Sequence, residues 1–117
     1  MLDFLLSENK ILFSPFIAKK LGLNEAVFFA KLIELRQYHS THRSQDGTRW
    51  VRMSVAAWNI ELPFFSEATI KRTILKLRRA SLVKAKNLNQ EKTDATLSYA
   101  VDDVGFHAFL QSHLERK

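Results

Sequence analysis

Apolar residues recur along this chain at helical spacing, interrupted by short stretches that read as strands and turns. Phe28, Leu32 and Leu35 stand at i, i+4 and i+7, and Val27, Phe29, Ala30 and Ile33 widen that stripe. Asn24 is the expected N-cap of this helix, with Glu25 at its positive end, and the helix should run to about Tyr38. A helix apolar on more than one side is either the centre of the core or part of a subunit contact. Upstream, Ser14-Pro15 reads as an N-cap followed by the first helical residue, and Gly22 as a left-handed C-cap that ends a short helix over Pro15–Leu21.

The polar stretch His39–Thr48 reads as a loop whose turn is Asp46-Gly47. Arg49–Met53 is a strand candidate. Ser54 caps a two-turn helix over Val55–Leu62 that Pro63 stops. Ser66 caps a longer helix to about Ala80, with Phe65 and Ile70 at hydrophobic-staple spacing. Leu82–Leu88 and Ala95–Val101 read as strands joined by the polar turn Asn89–Asp94. Asp102 or Asp103 caps a last helix bearing the stripe Phe106, Phe109, Leu110, His113 and Leu114. Leu32, Leu35, Val55, Trp58, Ile70, Ile74 and Leu77 are the expected core.

Helix, turn, helix, then a hairpin is the order of a winged helix-turn-helix. The expected fold is therefore α+β: one domain over residues 1–117, its core at 24–101, with an extra N-terminal helix and a C-terminal amphipathic helix over 103–115. A chain of 117 residues with 46% hydrophobic and 26% charged residues is of a size and balance that fit one globular domain, and exclude a disordered tail. No apolar run approaches a membrane span, no basic region opens the chain as a secretory signal would, and there is no cysteine. A cytoplasmic location is expected, with no membrane partner.

Charge changes the picture more than composition does. The formal charge is +6, yet residues 66–92 hold 8 basic against 2 acidic side chains, while residues 93–117 are net acidic. A concentrated basic surface is the electrostatic footprint of nucleic-acid binding, although a solvated helix face has the same pattern.

At about 100° per residue, Ile70, Ile74 and Leu77 point one way, and Ala68, Arg72, Leu75 and Arg79 the other. Ser66, Thr69, Lys71 and Lys76 flank them. A small Ala68 lets a helix approach base edges, Thr69 can bond a base or phosphate, and Lys71, Arg72 and Lys76 can meet phosphates. Leu75 is either a thymine-methyl contact or an isolated exposed leucine. Lys84 and Lys86 share one strand face and Lys92 lies in the turn; they supply phosphate contacts or protect an edge strand. Trp50 and Trp58 read as core. No nucleophile motif, glycine-rich phosphate loop or metal-ligand spacing appears, so neither catalysis, cofactor nor metal is expected.

Four short motifs follow one another in order: Leu21-Gly22-Leu23-Asn24-Glu25-Ala26; Asp46-Gly47 with Trp50-Val51; Trp58 with Leu62-Pro63-Phe64-Phe65-Ser66-Glu67; and Thr69-Ile70-Lys71-Arg72. Together, over about residues 10–101, they resemble the N-terminal winged-helix module of replication initiators and replisome organisers from phages, plasmids and related mobile elements. The resemblance implies origin recognition on double-stranded DNA, with Ser66–Arg79 as recognition helix and Asn87–Thr96 as wing. It implies contacts to host replication proteins through regions not present in residues 1–117. Where the family pattern has glycine this chain has Ser81, which speaks against a tight left-handed turn there, and Ala80 replaces a basic residue. A stand-alone transcriptional regulator of the same fold, or a winged helix that holds protein partners without reading DNA, are the alternatives. A homodimer is expected on DNA, through Phe106, Phe109, Leu110 and Leu114.

Overall fold

The computed structural model describes residues 2–3, 11–39, 42–91 and 93–114. Among these, the element order is α1 (Pro15–Leu21), α2 (Leu23–His39), β1 (His42–Arg43), β2 (Arg49–Arg52), α3 (Val55–Glu61), α4 (Glu67–Arg79), β3 (Val83–Lys86), β4 (Ser98–Val101) and α5 (Asp103–Leu114). The fold is mixed α+β. None of the described helices is long and apolar enough to cross a membrane.

Three serines start three helices. The hydroxyls of Ser14, Ser54 and Ser66 accept the backbone N–H of Ile17, Ala57 and Thr69, at 3.2, 3.0 and 3.1 Å. Each satisfies a donor that the first helical turn leaves without an intrahelical partner. Asn24 does not cap α2. The helix already begins at Leu23, because the Gly22 carbonyl accepts from Ala26 N (3.1 Å) while its N–H closes α1 on Ala18 O (2.9 Å). One glycine thus ends one helix and opens the next. Its φ of 129° and ψ of 156° are the mirror of an extended strand, not the expected left-handed helical cap. A Cβ there would strike the Glu25 carboxylate.

Helix α2 is the centre of the core. It packs against α1, α4, β2 and β4. Ala26, Phe28, Phe29, Leu32 and Leu35 are all buried, which accounts for the apolar surface on more than one side. Trp58 of α3 is fully buried with its ring 4.3 Å from Phe28 and 5.7 Å from Tyr99 between centroids. Val55, expected in the core, is only half-buried against it, since it opens α3 beside exposed Ser54.

The strands form an antiparallel sheet in the order β1-β2-β4-β3. Pairing Val51 with Tyr99, Ala85 with Tyr99 and Val83 with Val101 puts these side chains on the inner face, against the helices. Trp50, Ala100, Ser98, Lys84 and Lys86 fall on the other face. The loop expected over His39–Thr48 contains β1, which pairs with β2 through the Asp46-Gly47 turn. Strands β3 and β4 are shorter than expected. Beyond Lys86 the side chains of Asn87 and Asn89 take over from the ladder, bonding Asp94 O and Thr96 O at 2.6 to 3.1 Å.

Helix α4 ends in a left-handed turn after all. Ser81 has φ 62°, Leu82 N donates to Leu77 O and Ser81 N to Arg78 O, both at 3.0 Å. This is the Schellman arrangement, and buried Leu77 and Leu82 supply its apolar contact. Serine holds the position glycine was expected to need. Gly105 in α5 packs against this turn: its Cα lies against the Ser81 carbonyl so closely that any Cβ would collide with it.

Asp102 caps α5, accepting Gly105 N at 3.0 Å. The helix folds back on its own chain: Phe106 meets Phe29 at 5.3 Å and Phe109 meets Phe16 at 6.1 Å between ring centroids. Two of the four residues expected at a subunit contact therefore cover the core of one chain. Leu110 lines the adjoining groove between α1, α2 and α5. The side chain of Leu114 lies outside the described residues.

Candidate nucleic-acid interface

The inner and outer faces of α4 are sharply divided. Ile70, Thr73, Ile74 and Leu77 are buried, and Thr73 returns its hydroxyl to Thr69 O at 2.7 Å. Ala68, Arg72, Leu75 and Arg79 are exposed, as expected, with Leu75 at 44%. Helical projection puts Lys71 and Arg78 on one flank of that exposed face and Thr69 and Lys76 on the other.

The first turn is a small network. Ser66 Oγ caps Thr69 N and lies 3.0 Å from Thr69 Oγ1, which accepts from Arg72 Nη2 at 3.1 Å. Arg72 is thereby held along the helix while staying exposed. Lys76 is differently placed. Its ammonium donates to the Leu21 carbonyl at the α1–α2 junction and stands 3.7 Å from Glu25, itself nearly buried. The sequence offers Lys76 to phosphate; in the fold its ammonium also meets an internal anion and a carbonyl, with the side chain 55% exposed.

The hairpin lysines sit on the outer sheet face. Lys84 is half-buried with its ammonium 5.8 Å from the centroid of the Trp50 ring, and Lys86 is exposed. Trp50 itself is buried, so it offers no open ring for base stacking, and Trp58 is core, both as expected. Lys92 lies outside the described residues. The β3–β4 loop is a built loop: Arg52 Nε donates to Asn89 Oδ1 at 2.7 Å and its guanidinium also pairs with Asp94. Asp94 accepts from Thr96 N at 3.0 Å, and the Thr96 hydrogen bonds, ahead of Arg52, hold its carboxyl below the usual value.

Two further cations join this side of the molecule: Arg78 on the open flank of α4 and Arg43 on β1. With Lys84 and Lys86 they line a groove of about 910 Å3 over the outer sheet face. Sequence reasoning missed both. Arg78 stands between the inward and outward sets of the helical projection, and Arg43 falls in a stretch read as loop. Among the described residues, Lys71, Arg72, Arg78, Arg79, Arg43, Lys84 and Lys86 enter no ion pair, whereas Lys31, Arg36, Arg52 and Lys76 each pair with a carboxylate. No group of three or more His, Cys, Asp or Glu side chains among the described residues has the geometry of a metal site. No family model, curated protein or solved structure matches this chain.

Proposed function

We propose that the protein is a winged-helix DNA-binding domain in which α4 enters the major groove and the β3–β4 hairpin follows the backbone. The observation that carries this reading is the division of α4. Its inner face is fixed in the core, and its outer face presents a small Ala68 flanked by hydroxyls and by cations that no carboxylate neutralises. A rigid helix with that surface matches what base edges and phosphates require. In this reading Ser66 and Thr69 position Arg72, Arg79 extends the contact, and Lys71, Lys84 and Lys86 meet phosphates. Lys92, in the wing, is assigned the same role by its place in the sequence. The resemblance of the ordered motifs to replication-initiator modules makes origin recognition in a mobile genetic element the specific role proposed; a transcriptional regulator would use the same contacts on another site.

A mobility-shift series on duplex DNA across salt concentrations tests this. Affinity should fall steeply with salt, and Arg72→Ala/Arg79→Ala should weaken binding with an unchanged unfolding midpoint. Loss of about 1–3 kcal/mol at one base pair would identify a guanine contact, whereas an even loss across sequences identifies phosphate. Binding that ignores both salt and the double variant refutes the proposal. Phe106 and Phe109 pack within their own chain, which leaves Leu110 and Leu114 of the expected dimer contact; sedimentation with and without duplex measures whether a second copy joins.

A further inference from the structure

We propose that the groove over the outer sheet face, lined by Arg43, Arg78, Lys84 and Lys86, is a second phosphate-binding surface that takes the duplex backbone beyond the reach of α4. The proposal rests on the DNA reading above and extends it to residues on β1 and the α4 flank.

Charge is the first argument. Four cations from three separate elements converge on one groove of about 910 Å3, and the single carboxylate there is Asp46. That carboxylate is turned into its own turn. It accepts the Ser44 hydroxyl, the first cause of a pKa held far below the usual range, and the Thr48 N–H at 3.0 Å. It stays ionised and acts on Lys84 through space, so it offsets one of the four cationic charges and leaves the groove net positive. None of the four cations has an ion-pair partner among the described residues. Like charges gathered in excess of their counter-charge raise the local potential and draw a polyanion.

The lining selects the kind of polyanion. Trp50 is buried beneath the Lys84 ammonium, so bases find no stacking platform and the groove suits a sugar-phosphate chain. An acidic peptide needs apolar anchors in pockets as well as charge, and Leu88 alone offers an exposed one here. Arg78 supplies continuity. It lies on α4 between the outward face and the groove, so one phosphate path can run from Arg79 and Lys71 across Arg78 to Lys86 and Arg43.

The experiment uses the full chain and a duplex of about 30 base pairs of random sequence, long enough to reach both surfaces. Arg43→Ala/Lys86→Ala alters two exposed side chains and leaves Lys84 over Trp50. If each residue neutralises one phosphate, the slope of log affinity against log salt should shrink by about 1.8, and affinity should drop about 60-fold at 0.1 M salt. The unfolding midpoint should not move. An unchanged slope and affinity overturn the proposal, while Arg72→Ala/Arg79→Ala measured beside it reports on α4 separately. A groove variant that weakens binding while the helix variant does not would keep the groove and refute the helix reading. No duplex binding by the unaltered chain overturns both. Poly-glutamate is the competing probe: if it binds the unaltered chain, loses that binding in Arg43→Ala/Lys86→Ala, and the duplex affinity stays the same, the groove belongs to an acidic polypeptide and the proposal fails.

Discussion

Lys76 and Arg78 stand on opposite flanks of the same helix and have opposite situations. Lys76 reaches the α1–α2 junction, where the Leu21 carbonyl and Glu25 receive its charge. Arg78 faces the groove and meets no carboxylate among the described residues. The residue types are equivalent in formal charge, and helix propensity does not separate them. What differs is the element opposite. On the Lys76 side it is a helix junction whose geometry Gly22 dictates; on the Arg78 side it is a sheet face carrying more cations. The cations of one basic helix are therefore not equivalent. One flank is tied to the fold through Lys76, and the outer face and the other flank carry cations that enter no ion pair among the described residues.

The largest expected effect removes the floor beneath both flanks. Ile74 is buried between them, and Ile74→Ala should cost about 2–5 kcal/mol of stability, read by chemical denaturation. Both flanks should then lose function together. A loss under about 1 kcal/mol would mean α4 is not anchored by this face.

Next is the tied flank alone. Gly22→Ala puts a Cβ into the Glu25 carboxylate at a backbone φ of 129° that side chains rarely adopt. The expected cost is about 1–3 kcal/mol, with Glu25 displaced from Lys76. Adding Lys76→Ala to this variant should cost less than Lys76→Ala does in the unaltered chain, because the partner has already moved. Additive losses would show that Glu25 and Lys76 are not coupled.

The direct comparison is smaller. Lys76→Ala should lower stability by about 0.5–1 kcal/mol, since the pair is half-exposed and screened, and leave the salt slope of DNA binding nearly unchanged. Arg78→Ala should do the reverse: stability within about 0.5 kcal/mol of the unaltered chain, and a salt slope smaller by about 0.9. Equal effects of the two variants on either measurement would erase the distinction between the flanks.

Much of this molecule was legible in its residues, and the illegible parts share a cause. The caps at Ser14, Ser54 and Ser66, and the buried set Ile70, Ile74 and Leu77, depend on neighbours within one or two helical turns, so local spacing reveals them. The tie of Lys76 joins residues that sequence separation hides, Leu21 and Glu25. The same holds for Arg52 with Asn89 and Asp94, and for Phe106 and Phe109 on Phe29 and Phe16. The left-handed Ser81 was misread for a related reason. Local preference favours glycine there, but the Schellman bonds and the buried Leu77–Leu82 pair hold a serine in place. Arg43 and Arg78 become one site only when a strand from the middle of the chain comes beside the end of α4.

The smallest effect concerns the β3–β4 loop, which, like the α1–α2 junction, is held by a charged tie between residues far apart in the chain. Asp94 holds it: the Thr96 N–H and hydroxyl, then Arg52, favour the ionised carboxylate and keep its pKa below the ordinary aspartate value. A group whose pKa is lower folded than unfolded stabilises the fold above its unfolded value of about 4, and that contribution fades as pH falls through the folded value. Asp94→Asn cannot titrate. The unaltered chain should be the more stable of the two near pH 7, and the gap should close progressively below about pH 4. Asp46, also held ionised, is present in both proteins, so its loss at acid pH cancels in the difference. Thermal unfolding of the pair from pH 7 to pH 3 measures the gap, and amide exchange in Asn87–Thr96 locates it. A gap that stays constant with pH would show that the β3–β4 loop is held by the asparagines and not by the charge on Asp94.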